Sequence, residues 1–135
     1  MAGRKAAKPD GALPASRDVA LAAARAAAEK QGERIVVLDV RELIVITDYF
    51  VIVSAGSERQ ARTIVEEVER SLRDLGVKPL RREGESEGLW VLLDYVDVVV
   101  HVFRAEERDF YDLERLWGDA PRVEWDAPSE AAARA

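Results

Sequence analysis

Residues 47–62, with the sequence TDYFVIVSAGSERQAR, constrain the fold more than any other part of the chain. The run YFVIV at positions 49–53 is aromatic and β-branched and contains no charge. A strand with one solvated face alternates apolar and polar residues, and this run does not, so both of its faces should be covered. The small residues that follow at positions 54–57 allow the backbone to turn. The pattern predicts a buried strand, a tight turn and a helix.

The helix after the turn has a defined beginning and end in the sequence. Ser57 and Gln60 form the S-x-x-Q pattern of a capping box, in which the serine oxygen accepts from a first-turn amide and the glutamine reaches back to the cap. Gly76 suits the left-handed residue that ends a helix. Between them, a single apolar stripe recurs at three- and four-residue steps, at Ala61, Ile64, Val65, Val68, Leu72 and Leu75.

Further strands and helices are predicted on both sides of this unit. The strands lie at residues 34–40, 77–82, 89–93 and 98–103, and the helices lie at residues 17–31 and 106–117. Pro79 favours a sheet edge for its strand, which should run parallel to the buried strand after a right-handed crossover. The last helix should turn Phe110, Leu113 and Trp117 towards the core. The expected fold is α/β, with a mixed five-stranded sheet and flanking helices.

The chain is long enough for one domain with its own core. We expect this domain at residues 16–118, between disordered tails at residues 1–15 and 119–135 that lack hydrophobic periodicity. No cysteine is present, so the chain forms neither a disulfide nor a thiolate metal site. Its apolar runs are far shorter than the roughly 20 residues that span a bilayer. The sequence therefore predicts a cytoplasmic protein.

Charge and aromatic residues point to a docking surface. The net charge of −6 argues against general affinity for nucleic acid, and residues 83–97 hold five acids and no base. Such a stretch is commonly a solvated surface, whereas a sharper interpretation is a site for a basic protein partner. Trp90 and Tyr95 lie beside a Gly-rich loop and in a turn, where we do not expect complete burial. Partly buried aromatic residues near charge are typical of interface hot spots.

An enzymatic alternative arises from Gly56 and Ser57, because nucleotidyltransferases also carry a Gly-Ser turn between a strand and a helix. Those enzymes need two carboxylates on one strand face to hold a divalent metal, and residues i and i+2 share a face. Asp94 and Asp97 are three residues apart and flank a turn. The metal-binding pair is therefore missing, and a capped turn is a sufficient structural reason for Ser57.

Two weaker signals concern phosphate binding and acid-base chemistry. Residues 55–59 precede or begin a helix, where phosphate can bind, but a single glycine does not make a phosphate loop. His101 is the only histidine and has no Cys or Ser partner in evident range. We predict that it is a hydrogen-bonded strand residue rather than a catalytic base.

Together these residues resemble the ribosomal silencing factors, also called the Iojap family. The resemblance covers residues 17–118 and includes the strings LDV, ITDYFVI, SAGSERQ and YDLERLW. Its most specific part is W-x-x-x-D-x-x-D-x-x-x-H, formed here by Trp90, Asp94, Asp97 and His101.

The resemblance implies a fold similar to that of nucleotidyltransferases but used for binding. Members of the family bind the large ribosomal subunit through ribosomal protein fourteen, where the small subunit would dock. Joining of the subunits is blocked, and translation falls when nutrients are scarce. Free members are often homodimers. By position, the resemblance implies partner contacts at Trp90, Asp94, Tyr95, Asp97, Asp48, Ser57, Arg59, Gln60 and His101.

We therefore expect a protein that is not an enzyme and that uses no cofactor or metal. Neither sequence-specific binding of nucleic acid nor association with a membrane is expected. A nucleotidyltransferase-like enzyme or nucleotide-binding module remains the alternative.

Overall fold

The computed structural model describes residues 14–84 and 90–126, which form one sheet with helices on both faces. The strands are β1 (Glu33–Asp39), β2 (Tyr49–Ala55), β3 (Arg81–Glu83), β4 (Trp90–Asp94), β5 (Val98–Arg104) and β6 (Arg122–Val123). The helices are α1 (Ser16–Glu29), α2 (Glu58–Asp74), α3 (Ala105–Tyr111) and α4 (Leu113–Leu116). None of the described helices is long and apolar enough to cross a membrane.

The six strands form a mixed sheet in the order β3-β4-β5-β2-β1-β6. β2 and β5 are parallel, whereas every other neighbouring pair is antiparallel. All seven residues of β2 are buried, which confirms the prediction of a strand covered on both faces. β3 runs in the same direction as β2, as predicted, but β4 and β5 lie between them. Of the predicted strand at 77–82, only residues 81 and 82 join the sheet, as part of the edge strand β3.

The helices α1 and α2 cover the first face of the sheet. The buried side of α1 consists mainly of alanines, of which Ala20, Ala23, Ala24 and Ala27 are fully inaccessible. Small side chains bring the helix close to the strands. Gly32 continues this close approach, because a Cβ at this position would lie 2.7 Å from the side chain of Val53.

The ends of α2 form largely as the sequence predicts. The Ser57 hydroxyl accepts a hydrogen bond from the Gln60 amide at 3.0 Å. The Gln60 side chain reaches back one residue beyond the cap, where its Oε1 accepts from the Gly56 amide at 2.6 Å. Gly76 has a φ of 86°, which confirms the predicted left-handed end. Leu75 is 41% exposed and therefore falls outside the predicted stripe.

The second face of the sheet is covered only in part, by α3, α4 and the segment after them. Leu113 and Trp117 pack against a cluster that includes Phe50, Ile52 and Phe103. This confirms the prediction that Leu113 and Trp117 face the core. The predicted single helix at 106–117 is wrong, because Asp112 adopts a left-handed φ of 50° and divides it. Asp is one of the few residues that tolerate this conformation. Phe110 consequently points away from the core and is 81% exposed.

The segment after α4 corrects two predictions, the five-strand count and the disorder of residues 119–126 within the predicted tail at 119–135. Residues 119–126 are packed against the sheet: β6 pairs with β1, and the indole of Trp125 donates to the Ile35 carbonyl at 3.0 Å. The physical reason is the open edge of β1, whose unpaired backbone groups β6 satisfies. Residues 1–13 and 127–135 of the predicted tails, and most of the predicted loop at 84–88, lie outside the described residues. The predicted domain boundary at 118 therefore leaves out residues that belong to the sheet.

A buried ion pair holds α3 and α4 together beneath their corner. Arg108 is 1% exposed and donates to both carboxylate oxygens of Glu114, at 3.0 and 2.8 Å. Its third nitrogen donates to the Ser54 hydroxyl on β2 at 2.9 Å. The guanidinium of Arg108 holds the pKa of the Glu114 carboxyl below its usual range. The pair therefore ties the described helices of the second face to the central strand.

We expect Glu114→Gln to lower the free energy of unfolding by about 3 kcal/mol at pH 7, because the buried Arg108 charge loses its counter-charge. Glu106→Gln, an exposed change on α3, is the matched control and should cost less than about 0.5 kcal/mol. Because the Glu114 pKa is lowered on folding, this stabilisation is present above the unfolded pKa and disappears as the pH falls through the folded pKa. Urea denaturation checks this, and equal losses in the two variants would contradict it.

Candidate functional site

A groove opens on the second face of the sheet where α3 and α4 leave it uncovered. It has a volume of about 360 Å³. Its apolar lining includes Ile44, Ile46, Phe50, Leu80, Val96 and Val99. Ile46 and Leu80 are 78% and 70% exposed, which is unusual for large apolar side chains. The groove is therefore a surface with the composition of a binding site rather than of a solvated face.

His101 lies in the groove wall on β5, where it is 5% exposed. Its Nδ1 accepts a hydrogen bond from the Trp90 indole at 3.2 Å, so the ring proton of the neutral form is on Nε2. Burial lowers the pKa of His101 to about 4. The ring is therefore neutral near pH 7. The predicted hydrogen-bonded strand residue is confirmed.

Two buried polar atoms of the groove residues have no hydrogen-bond partner within the described part of the chain. They are the Nε2 of His101 and the Oγ1 of Thr47. An unpaired buried polar group costs roughly 1 to 3 kcal/mol. Both atoms lie buried beneath the groove surface.

Trp90 begins β4 next to the groove. Its ring stacks on Phe103 with centroids 4.8 Å apart and contacts Tyr111 at 4.5 Å. Trp90 is half-buried, so part of it remains accessible, as the sequence predicts. Its indole orients His101 while its ring supports α3. The side chain therefore couples the groove to the helix that borders it.

Asp94 lies in the groove, but its charge is compensated. The Asp94 carboxylate accepts from Arg81 at 3.2 Å and from the Val96 amide at 2.8 Å. Glu83 lies 3.6 Å from the same guanidinium. The stretch at residues 83–97, which the sequence shows as acidic, therefore carries less uncompensated charge around the groove than its composition indicates.

Asp48 and Asp97 support the same end of the sheet through backbone and side-chain contacts. Asp48 is 2% exposed and accepts from the Ser16 hydroxyl at 2.7 Å. Its amide donates to the Asp97 carbonyl at 2.8 Å. These contacts join the start of β2 to α1 and to the turn before β5, and neither residue lines the groove.

Tyr95 lies on the opposite face of the sheet. The prediction that it is not fully buried is wrong, because only 6% of it is exposed and it belongs to the core under α1 and α2. Burial raises the pKa of its hydroxyl. The physical reason is strand alternation: Asp94 faces the groove, so the next residue must face the other way.

Ser57, Arg59 and Gln60 lie at the far end of the sheet, about 20 Å from Tyr49 along the seven residues of β2. Besides its cap contacts, Gln60 donates to the Lys30 and Gln31 carbonyls, at 3.2 and 2.9 Å. Arg59 is exposed. No group of three His, Cys, Asp or Glu side chains in residues 14–84 and 90–126 is placed to hold a metal ion.

The groove residues Ile46, Thr47, Leu80 and Val96 are absent from the sequence-based site. That prediction followed charge and aromatic residues, whereas the groove is built from aliphatic side chains in connecting segments. A signal was present: the run LIVI at residues 43–46 is strongly apolar yet lies outside the strands. Apolar residues in loops are candidates for binding surfaces.

Comparison with known proteins agrees with the resemblance. The family model described as "Ribosomal silencing factor during starvation" matches residues 14–135. The chain belongs to the ribosomal silencing factor family. Ribosomal silencing factor RsfS of Halalkalibacterium halodurans is 42% identical over 102 residues, covering 76% of this chain and 87% of that protein. The protein of the same name from Bacillus subtilis is 41% identical over 104 residues, covering 77% and 88%.

Solved structures show the same architecture for this silencing-factor chain. A crystal structure of a Chromobacterium violaceum protein superimposes with a TM-score of 0.76 at 30% identity and covers 87% of this chain and 97% of that one. A Bacillus halodurans crystal structure gives a TM-score of 0.70 at 36% identity and covers 80% and 98%. Membership in the family supports a ribosome-associated role in regulating translation.

The single histidine of this silencing factor allows its burial to be measured. Its pKa is about 4 in the folded chain against 6.5 for the free side chain. Because the folded pKa is lowered, stability is full above pH 7 and falls as the pH drops from about 6.5 towards 4. We expect a loss of about 2 kcal/mol between pH 7 and pH 5.

His101→Gln keeps an acceptor for the Trp90 indole but does not titrate, so it should lack this loss. Denaturant unfolding of both proteins at the two pH values provides the check. Parallel pH profiles would show that His101 is not buried in its neutral form.

Proposed function

We propose that this chain binds the large ribosomal subunit through ribosomal protein fourteen and blocks joining of the small subunit in the cytoplasm. Translation then falls when nutrients are scarce. The observation that carries the proposal is the groove, an apolar surface with two buried polar atoms that have no partner within the described residues. No reaction is required, because a domain that occupies the interface between subunits excludes the other subunit sterically.

The groove favours a protein partner. An apolar side chain fits between the exposed Ile46, Leu80 and Val96 and buries their surface. The neutral ring of His101 in the groove wall brings no charge into the interface. Apolar burial therefore contributes more to binding than the acidic stretch, whose Asp94 is already paired with Arg81.

The names of relatives support the large subunit and nutrient limitation. The family description refers to starvation. A mouse relative, 32% identical over 74 residues that cover 53% of this chain and 32% of that protein, is named "Mitochondrial assembly of ribosomal large subunit protein 1". The maize relative "Protein Iojap, chloroplastic" is 36% identical over 108 residues, covering 78% and 46%.

The proposed interface retains three of the residues implied by the resemblance, Trp90, Asp94 and His101, and adds Ile46 and Leu80. Asp97 and Asp48 do not line the groove. Contacts by Ser57, Arg59 and Gln60 would require a partner that reaches the far end of the sheet. A contact by Tyr95 would require the Tyr95 side chain to leave the core.

We further propose that the free chain is a homodimer in which a second copy covers the groove. Burial of an exposed apolar surface is favourable, so in the absence of its ribosomal partner the groove favours contact with a second copy. Docking on the ribosome would then replace the second copy, so that dimerisation and subunit binding exclude each other.

Ile46→Asp should reduce binding to purified large subunits at least tenfold, because a carboxylate in the apolar groove loses hydration without gaining a counter-charge. Leu116→Asp is the matched control: Leu116 is 68% exposed on α4 and does not line the groove, so its variant should bind as the unaltered chain does. Co-sedimentation with large subunits measures binding, and the fall in joined ribosomes measures function. Equal binding by all three proteins would remove the groove from the interface.

The alternative function is an enzyme or nucleotide-binding module on a scaffold similar to that of nucleotidyltransferases. In our proposal that scaffold serves binding alone, and the Gly56–Ser57 turn is accounted for by its capping contacts. Nucleotide with Mg²⁺ should therefore leave the melting temperature unchanged. A ligand at 100 times its dissociation constant would add about 2.7 kcal/mol of stability, so a clear rise would support the alternative.

A further inference from the structure

Positive charge is concentrated in one short part of this acidic chain. Residues 70–82 contain five basic residues and one acid, whereas the whole chain has a net charge of −6. The structure gathers four of the five on one concave surface, formed by the end of α2, residues 77–80 and β3. We name this surface, which is lined by Glu69, Arg73, Lys78, Arg81 and Arg82, the basic cleft; its volume is about 620 Å³.

The cations of the basic cleft differ in how they are paired. Arg82 lies 2.6 Å from the Glu69 carboxylate, and Arg81 lies 3.2 Å from Asp94. Arg73 and Lys78 are exposed, and neither takes part in an ion pair within the described part of the chain. The cleft therefore holds two uncompensated positive charges beside two paired arginines. Such a surface attracts an anion rather than a basic partner.

The basic cleft adjoins the groove. Leu80 and Arg81 line both, so the two form one continuous surface at the β3 edge of the sheet. A partner protein seated in the groove would bring its immediate neighbours over the cleft. On a ribosomal subunit, the abundant anionic neighbour of a protein is the phosphate backbone of RNA, because ribosomal proteins are themselves mostly basic.

We propose that the basic cleft binds the phosphate backbone of ribosomal RNA next to the protein that occupies the groove. This inference rests on the proposed function and adds a second, electrostatic contact to it. The cleft lining contains Arg and Lys but no aromatic side chain on which a base could stack. Contacts of this kind fix position and orientation without reading sequence. The net negative charge of the rest of the chain opposes binding to free RNA.

Salt dependence of binding to large subunits tests the proposal, with Arg73→Ala/Lys78→Ala compared with Arg17→Ala/Arg62→Ala. The control removes two exposed cations outside both surfaces, so net charge changes equally. Each lost phosphate contact lowers the slope of log affinity against log salt by about 0.7 to 0.9. We expect the cleft variant to lose about 1.5 from the slope between about 50 and 200 mM KCl. The control should keep the slope of the unaltered chain, and equal slopes in all three proteins would overturn the proposal.

Ultraviolet cross-linking of the subunit complex identifies the partner of the cleft. We expect the peptide containing residues 73–82 to cross-link to RNA. If chemical cross-linkers instead join that peptide to an acidic protein while no RNA adduct forms, the RNA assignment is wrong.

A failure of the proposed function is distinguishable from a failure of this inference. If the unaltered chain does not bind large subunits, the proposed function fails, and fluorescence anisotropy with a short uridine oligonucleotide at low salt then decides the role of the cleft. Weaker binding by the cleft variant than by the control would support phosphate contact. Equal binding, or none by the unaltered chain, would overturn it. Melting temperatures of the variants show that each remains folded.

Discussion

Burial of β2 on both faces is the constraint on which the rest of the structure depends. All seven of its residues are buried, so two separate layers must cover it. On the first face, α1 and α2 do this over the full length of the strand. On the second face, α3 and α4 are only seven and four residues long and cannot cover the whole sheet. The groove is the part that remains.

The second-face cover depends on one buried cation. Arg108 links Glu114 on α4 to Ser54 on β2 and so holds two short helices that would be marginal alone. The left-handed Asp112 between them turns α4 back onto Phe50 through Trp117, with ring centroids 5.8 Å apart. Trp90 completes the border by stacking on Phe103 and contacting Tyr111. The fold and the wall of the groove are thus stabilised by the same contacts.

Local sequence rules predicted the parts of the fold that local interactions decide. The charge-free run of β2, the Ser57 cap and the left-handed Gly76 each follow from neighbours within a few residues. β6 could not be predicted in this way, because a two-residue strand has no sequence pattern of its own. It forms only because β1 presents an open edge. The division of the last helix was not predicted either. The helical spacing of Phe110 and Leu113 carries no information about the left-handed conformation of Asp112.

The site was less predictable than the fold because binding surfaces depend on which residues meet in space. The charge of Asp94 is visible in the sequence, but its pairing with Arg81, thirteen residues away, depends on β3 lying beside β4. Ile46, Leu80 and Val96 come from three connecting segments and meet only at the end of the sheet.

The same pairing of β3 with β4 brings the basic cleft to the border of the groove. All three residues of β3 are exposed, so the strand adds little to the core. Its successive side chains instead point to alternate faces of the sheet and meet different surfaces. Arg81 neutralises Asp94 in the groove, while Arg82 faces Glu69 and the cleft. β3 therefore separates an apolar surface suited to a protein from a cationic surface suited to phosphate. A ribonucleoprotein particle presents both chemistries side by side, and a chain that docks by this edge can meet both at once.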